Sequence, residues 1–347
     1  MKKKKTTIRD IAKELDITAS TVSRALRNHP RISSATKEAV WDVAEKLNYQ
    51  PNNIAAALVK GKSNILGVIV PTSDRSFFAS VIRGIEEVIR DEGYNLVICQ
   101  SDDQFSKEQT NVEALLKIQV DGIIASVAKE TTDFEHFKKV KQQGVPLILY
   151  DRVNESLDVN AVVTNDYLGS YKAVSHLIEQ GCKRIVHFAG KQHINIYQDR
   201  LKGYIDAQRE HGIPIDNNLI MEEDLIFSME RVVELGQTLA HRMLEMPELP
   251  DAVFSASDFA AMGAMQVFKE QGIEIPGDVA FVGYSNDVSG SFIEPGLTTV
   301  DQHTKRMGNL AAQLFLEQIS ESNTEFTPRK TLLNPKLVIR GSSQKNG

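Results

Sequence analysis

"TIRDIAKELDITASTVSRALRN", Thr7 to Asn28, decides how this sequence is read. Thr7 is followed three residues later by Asp10, a capping-box-like helix start. Ile8, Ile11, Ala12 and Leu15 then recur at helical spacing and form one apolar stripe. Asp16-Ile17 breaks the run. Thr18 is placed to cap a second helix whose inner face is Val22, Ala25 and Leu26. That helix carries Ser20, Thr21 and Ser23, hydroxyl residues that are only middling helix formers. A short helix, a tight turn and a second helix opening on small polar residues is the pattern of a helix-turn-helix. Its second helix lies in the DNA major groove with its N-terminal residues against base edges. Small side chains let the backbone approach, Ser and Thr reach phosphates or bases, and Arg24 can fork onto guanine. A solvent-facing helix in an ordinary bundle is the competing reading of the same spacing.

Working outward, "NHPRI" separates these helices from a third. Ser33 or Ser34 caps it, and Val40, Val43, Ala44 and Leu47 point inward. Pro51 ends it. "NNIAAALVKGKSN" follows, a linker that is helical only when something holds it, because so short a helix is marginal alone. Charge divides at the same place. Residues 1–62 hold 13 Lys/Arg against 6 Asp/Glu, a net of +7; residues 63–347 hold 27 against 40, a net of −13. A basic head on a larger acidic body points to a polyanion met by the head alone.

From Ile65 short apolar runs alternate with amphipathic helices. "ILGVIV", "YNLVIC", "DGIIAS" and "PLILYD" form a first series; "AVVTND", "RIVHFAG", "NLIME", "DAVFSAS" and "VAFVGYS" form a second. Near-continuous apolar strands between helices imply parallel sheets covered on both faces. Five of the helices end in Gly shortly before the next strand, the usual C-terminal stop. Two series predict two doubly wound lobes, with a ligand cleft beyond the carboxyl ends of their strands.

At 347 residues, with 41% hydrophobic and 25% charged residues, the chain is sized for two or three soluble domains. It has no run long enough for a membrane span and no apolar stretch after "MKKKK" to make a secretory signal, so a cytoplasmic protein is expected. Cys99 and Cys182 read as small core residues rather than a disulfide or metal pair. Enzyme motifs fail. "VKGKSN" has Ala56 where a phosphate-binding loop needs its first Gly, and "GYSND" has Asp287 where a nucleophile elbow needs a small residue. The eight His show no zinc spacing, and there is no dinucleotide glycine fingerprint. No catalytic residue, cofactor or metal is expected.

The opening stretch, with "ISSATKEAVWDVAEKLNYQPNNIAAAL" and "ILGVIVP" after it, resembles the lac repressor family of bacterial transcription regulators. The likeness runs on through "VDGIIAS", "PLILYDR", "DRLKGY", "DAVFSASDFAAMGAM", "IPGDVAFVGYSND" and "PGLTTVDQ", nearly the whole chain. It implies an all-α helix-turn-helix head over residues 1–50 and a hinge helix over 51–62. A two-lobed α/β core like that of periplasmic sugar-binding proteins would follow over 63–340, with a tail at 341–347. Lobe 1 is expected over about 63–162 plus 290–325, and lobe 2 over about 163–289 plus 326–340. The resemblance also implies a homodimer on pseudo-palindromic operator DNA, working on the nucleoid.

Carried over residue by residue, Ala19, Ser20 and Arg24 fall at base-reading positions. Thr18, Thr21, Ser23 and Asn28 fall at or near phosphate contacts, and Thr7 joins the DNA-binding set. Leu58 matches a leucine wedged into the minor groove, with Ala55 one helical turn before it, small enough for two hinge helices to pack. In the core, Phe78, Asp151, Arg200, Ser257, Asp258, Ser285 and Gln302 match effector-binding positions. Paired Asp and Arg beside an aromatic platform suit a polyhydroxyl ligand such as a sugar. Asp258 is equally suited to cap the helix that follows it. One departure stands out. Many family members have Asp where this chain has Ser285, and Ser285, Asn286 or Asp287 would have to take over its contact. "SSQKNG", the last six residues, is too short for the extra C-terminal helix that some members use to tetramerise. The function expected is a repressor of carbohydrate-utilisation genes, released or reinforced by a sugar-like effector. A cytoplasmic sugar-binding protein, or a sugar- or nucleotide-processing enzyme on the same two-lobed fold, is the alternative.

Overall fold

The computed structural model describes residues 6–49, 62–226, 228–320 and 327–345. The chain divides into two compact units, residues 1–63 and 64–347.

In the first unit, helices α1 (Ile8–Glu14), α2 (Ala19–Leu26) and α3 (Ser34–Lys46) close on a small core of Ile11, Ala12, Val22, Ala25, Val40 and Ala44. The starts are capped as the sequence suggests. The Thr7 amide donates to Asp10 Oδ2 at 2.7 Å, Thr18 Oγ1 accepts from the Thr21 amide at 3.2 Å, and Ser33 Oγ from the Thr36 amide at 3.2 Å. The turn between α1 and α2 passes through Asp16 at φ 53°, a left-handed conformation that short polar side chains tolerate.

The second unit holds two six-stranded sheets. The first is built from β1 (Ile65–Val70), β2 (Asn95–Gln100), β3 (Gly122–Ala125), β4 (Leu147–Tyr150) and β5 (Asn160–Thr164), separated by helices α4 (Ser76–Arg90), α5 (Phe105–Lys117) and α6 (Glu135–Gln142). The second is built from β6 (Ile185–Ala189), β7 (Ile220–Glu222), β8 (Ala252–Ser255), β9 (Ala280–Tyr284) and β10 (Thr298–Asp301), with helices α7 (Asp166–Glu179), α8 (Asn195–Glu210), α9 (Met229–Leu244) and α10 (Asp258–Glu270). Helix α11 (Thr304–Ser320) and strands β11 (Lys330–Leu333) and β12 (Lys336–Val338) complete them. Strand orders are β11-β5-β4-β3-β1-β2 and β12-β10-β9-β8-β6-β7; all pairs are parallel except β10 with β12.

The apolar runs are continuous because each sheet is covered twice. In the first sheet Leu66, Val68, Ile124 and Ile148 face α4 and α11, while Ile69, Ile123 and Leu147 face α5 and α6. The second sheet repeats this, with Phe254, Ala280 and Val282 under α7 and α8, and Val253 and Phe281 under α9 and α10. Each lobe also brings helices to backbone contact through glycines. A Cβ at Gly308 of α11 would lie 2.1 Å from the Val81 carbonyl oxygen of α4, and one at Gly236 of α9 2.1 Å from the Ala260 carbonyl oxygen of α10. The five helix-ending glycines, Gly93, Gly144, Gly181, Gly212 and Gly272, all take φ between 72° and 90°.

The lobe boundaries differ from those expected. "AVVT", read as the start of the second series, is β5 and pairs with β4 in the first sheet. Strand β10, expected in lobe 1, pairs with β9 in the second sheet, and β11, expected in lobe 2, pairs with β5 in the first. The chain therefore crosses between lobes three times: between β5 and α7, between β10 and α11, and between β11 and β12. Nor do residues 341–345 form a loose tail. Ser342 and Ser343 are fully buried; Ser342 Oγ donates to the Phe281 carbonyl at 2.7 Å, and Ser343 Oγ lies 2.8 Å from His176 Nε2. Small hydroxyl residues there satisfy the backbone beside β9 and β10, so this end of the chain is packed into the second sheet. Cys99 and Cys182 are free thiols, one half-buried and the other buried. No helix among the described residues is long and apolar enough to cross a membrane.

Candidate DNA-reading head and effector cleft

In the head, Thr18 Oγ1 lies 2.9 Å from both Ser20 Oγ and Thr21 Oγ1, so three hydroxyls gather at the N-terminus of α2. Ser20 and Arg24, one turn apart on α2, are both exposed, while Val22 and Ala25 on the opposite face are buried. Thr7, Thr18 and Asn28 are exposed; Ala19, Thr21 and Ser23 are half-buried. Asn28 takes φ 54° where the chain leaves α2. Helix α2 thus presents one polar face with a cation and clustered hydroxyls, and its other face anchors the head. Ala55 and Leu58 lie outside the described residues.

In the core, a cleft of about 460 Å³ lies where the carboxyl ends of both sheets meet. Lobe 1 contributes the loops after β1 to β4, including Phe78, Asp103, Lys129, Asp151 and Arg152. Lobe 2 contributes Tyr197 and Arg200 of α8, Ser257 and Phe259 after β8, Ser285 and Asp287 after β9, and Gln302 after β10. Parallel sheets leave their carboxyl ends free because each crossover helix returns the chain to the opposite edge.

Two arginines order the walls. Arg200, 4% exposed, donates from Nε to Asp166 Oδ1 at 2.7 Å, from Nη1 to the Ala256 carbonyl at 3.0 Å and from Nη2 to Gln302 Oε1 at 3.4 Å. Its guanidinium carbon stands 3.7 Å over the Tyr284 ring. Arg200 thereby ties together both residues that flank chain crossings, Asp166 and Gln302. Arg152, buried in lobe 1, donates to Asp103 Oδ1 at 2.6 Å. Asp151, 6% exposed and at φ 58°, has Arg152 Nε 3.9 Å from its carboxylate. Burial pushes its pKa up to about 6, the neighbouring Arg152 opposing the shift.

Three side chains of lobe 1 reach across. Lys129 Nζ donates to Asp224 Oδ2 at 2.9 Å and to the Ile226 carbonyl at 2.8 Å, Arg75 Nη2 to the Leu225 carbonyl at 3.3 Å, and Ser76 Oγ to Asp287 Oδ2 at 2.5 Å. The loop that carries Lys129 is anchored from below. The fully buried Glu108 accepts from the Ala128 amide and from Thr131 Oγ1, both at 2.6 Å, and lies 2.9 Å from His136 Nε2.

Residues 7–52 match the family model described as bacterial regulatory proteins, lacI family, and residues 174–343 match that of the periplasmic binding protein-like domain. The HTH-type transcriptional repressor PurR of Actinobacillus pleuropneumoniae is 30% identical over 336 residues, covering 97% of this chain and 98% of that protein. The ribose operon repressor of Halalkalibacterium halodurans is 31% identical over 340 residues, covering 98% of this chain and 97% of that one. The chain belongs to the lacI family. Among solved structures, the lac repressor dimer bound to operator and the anti-inducer ONPF matches with a TM-score of 0.81 at 25% identity, covering 98% of this chain and 99% of that one. This lacI-family protein is a DNA-binding transcriptional regulator, not an enzyme.

Of the expected effector residues, Phe78, Asp151, Arg200, Ser257, Ser285 and Gln302 line the cleft of this lacI-family core. Asp258 does not. It is 1% exposed, accepts from Thr299 Oγ1 at 2.6 Å and from the Asp287 amide at 2.7 Å, and burial raises its pKa to about 6. Its carboxylate shapes the 285–287 loop, and Gly283 makes the room: a Cβ there would lie 2.1 Å from Asp258 Oδ1. The missing carboxylate at 285 reappears two residues on. Ser285 at φ 143° and Asn286 at φ 52° turn the chain so that Asp287 enters the cleft. Sequence reasoning also missed Asp103, Lys129, Arg152, Tyr197, Phe259 and the Asp166 strut. Arg152 and Asp103 were findable, since they stand two and three residues after the strands "LILY" and "LVICQ".

Proposed function

We propose that this regulator represses carbohydrate-utilisation genes by binding a pseudo-palindromic operator as a homodimer, and that a sugar-like effector held in the cleft sets its affinity for that operator. Ala19, Ser20 and Arg24 read bases; Thr7, Thr18, Thr21, Ser23 and Asn28 position the head on phosphates; Ala55 and Leu58 pack and wedge at the operator centre. Phe78, Asp151, Arg200, Ser257, Ser285 and Gln302, joined by Asp287, hold the effector. The protein acts in the cytoplasm, on the nucleoid.

The observation that carries the reading is the bridging of the lobes. Lys129, Arg75 and Ser76 already cross the cleft to lobe 2. A ligand that touches Asp151 on one wall and Ser257 or Asp287 on the other adds to those bonds, so it binds the closed arrangement better than an open one. That difference is what any ligand needs in order to shift a conformational equilibrium. Aromatic rings of Phe78, Tyr197 and Phe259 beside carboxylates suit the apolar faces and hydroxyl rims of a sugar ring.

The test is in vitro selection of a binding site by the full chain, followed by anisotropy titration with a sugar panel. A salt-sensitive, sequence-specific complex whose affinity moves with one sugar is expected. Failure to enrich any sequence would sink the DNA reading; a sugar that binds the cleft and leaves operator affinity unchanged would sink the switch.

A further inference from the structure

Resting on the reading of the cleft as an effector site, we infer that it takes a hydroxyl-bearing effector without negative charge and rejects the phosphorylated form of the same molecule. Three observations carry this. The first is charge balance. Among the described residues the cleft is lined by six carboxylates against four cations.

The second is that those cations are already committed. Arg152 is held by Asp103, Lys129 by Asp224 and Arg200 by Asp166, and Arg75 donates to the Leu225 carbonyl. Asp224 and Asp166 are further negative charges behind the lining. A phosphate bound to Arg152, Lys129 or Arg200 would have to draw that cation away from its carboxylate, in the case of Arg200 or Arg152 leaving Asp166, 3% exposed, or Asp103, 8% exposed, buried and uncompensated.

The third concerns the places where a lobe of this architecture could otherwise receive an anion, the helix N-termini beyond the strands. At three of these the chain's own carboxylates stand. Asp287 accepts from Ser76 at the start of α4, while Asp258 and Asp166 are themselves the first residues of α10 and α7. Meanwhile Asp151 offers a carboxylate on the lobe 1 wall, with its nearest cation 3.9 Å off, beyond hydrogen-bond reach. That group calls for an O–H or N–H donor, which sugar hydroxyls supply; a phosphate dianion brings only acceptors and more repulsion.

The experiment is hydrogen exchange of the full chain, read by mass spectrometry at residues 74–78, 194–200 and 285–288 so that anion binding to the basic head is seen separately. The probes are ribose, glucose and adenosine, each beside its monophosphate, and inorganic pyrophosphate at millimolar concentration. Protection of the cleft by an uncharged probe is expected, with its monophosphate roughly tenfold or more weaker, one factor of ten being about 1.4 kcal/mol. Pyrophosphate is expected to protect the head and leave the cleft unprotected. A monophosphate that protects the cleft at the same or lower concentration, or pyrophosphate protecting it at all, overturns the inference. If no sugar or nucleoside protects the cleft, the carbohydrate reading falls, while the pyrophosphate arm still decides the question of charge.

Discussion

Replacing Arg200 with Ala removes more than a contact to a ligand. Its guanidinium donates from Nε to the carboxylate of Asp166 at 2.7 Å, and Asp166 is 3% exposed. Stripping one partner from a buried ion pair costs about 3 to 5 kcal/mol, because the remaining charge stays desolvated. Loss of the stacking on Tyr284, at 3.7 Å, adds about 0.5 to 2 kcal/mol. Burial already holds the Asp166 pKa above the ordinary carboxylate range, with Arg200 opposing the shift, so without Arg200 the group is expected to take up a proton on folding. Protonation caps the loss, and a net of about 3 kcal/mol is the working figure. At roughly 2 to 4 °C per kcal/mol for a domain of this size, the melting temperature should fall by about 10 °C. The assay is calorimetric melting of the wild type, Arg200→Ala, Asp166→Ala and the double variant. The two single losses should not add, and the coupling should be about 2 kcal/mol or more. A shift for Arg200→Ala of no more than about 2 °C, with additive single losses, refutes the strut and returns Arg200 to a purely ligand-facing role.

Further outcomes follow from the same geometry. Arg24→Ala should lower specific DNA affinity by about 1 to 3 kcal/mol and non-specific affinity far less, read by anisotropy on selected and random duplexes; equal losses on both would make Arg24 a phosphate contact. Effector binding through the Asp151 carboxylate should weaken as pH falls through about 6, its raised pKa, and Asp151→Asn should flatten that profile in a titration from neutral to acid. The stability effect of Asp151 has the opposite sign: a carboxyl whose folded pKa lies above its unfolded one binds its proton first in the native state, so acidification through about 6 stabilises the fold. Gly308→Ala should cost about 1 to 3 kcal/mol in urea unfolding, because its methyl would meet the Val81 carbonyl of α4 at 2.1 Å. Lys129→Ala should weaken effector binding roughly tenfold and leave operator binding by the effector-free protein unchanged; unaltered effector affinity would remove Lys129 from closure.

Much was legible from the sequence because it is written locally. Helix starts at Thr18 and Ser33 need only a hydroxyl three residues before a free amide, and the start at Thr7 a carboxylate three residues after one, and those bonds are present. Five helix ends need only a residue at ease with positive φ, and each has its Gly. The helix-turn-helix, the alternation of strands and helices, and a cleft at the strands' carboxyl ends follow from short-range pattern plus the rule that parallel sheets expose their carboxyl edges, while Phe78, Asp151, Arg200, Ser257, Ser285 and Gln302, which line that cleft, were named by the family resemblance. What the tertiary structure alone decided is long-range. "AVVT", "TTVD" and "KTLL" are equally strand-like, and nothing in their composition says which sheet each joins; that depends on which edge is free when the chain arrives. Asp258 and Asp287 both sit near strand ends, yet one is turned inward by Thr299 and the other is swung into the cleft by two positive-φ residues. That Arg200 is also a strut was invisible because its partner, Asp166, stands 34 residues away in the chain. A side chain's role is set by the groups folding brings within 3 Å of it, and sequence proximity carries no record of those.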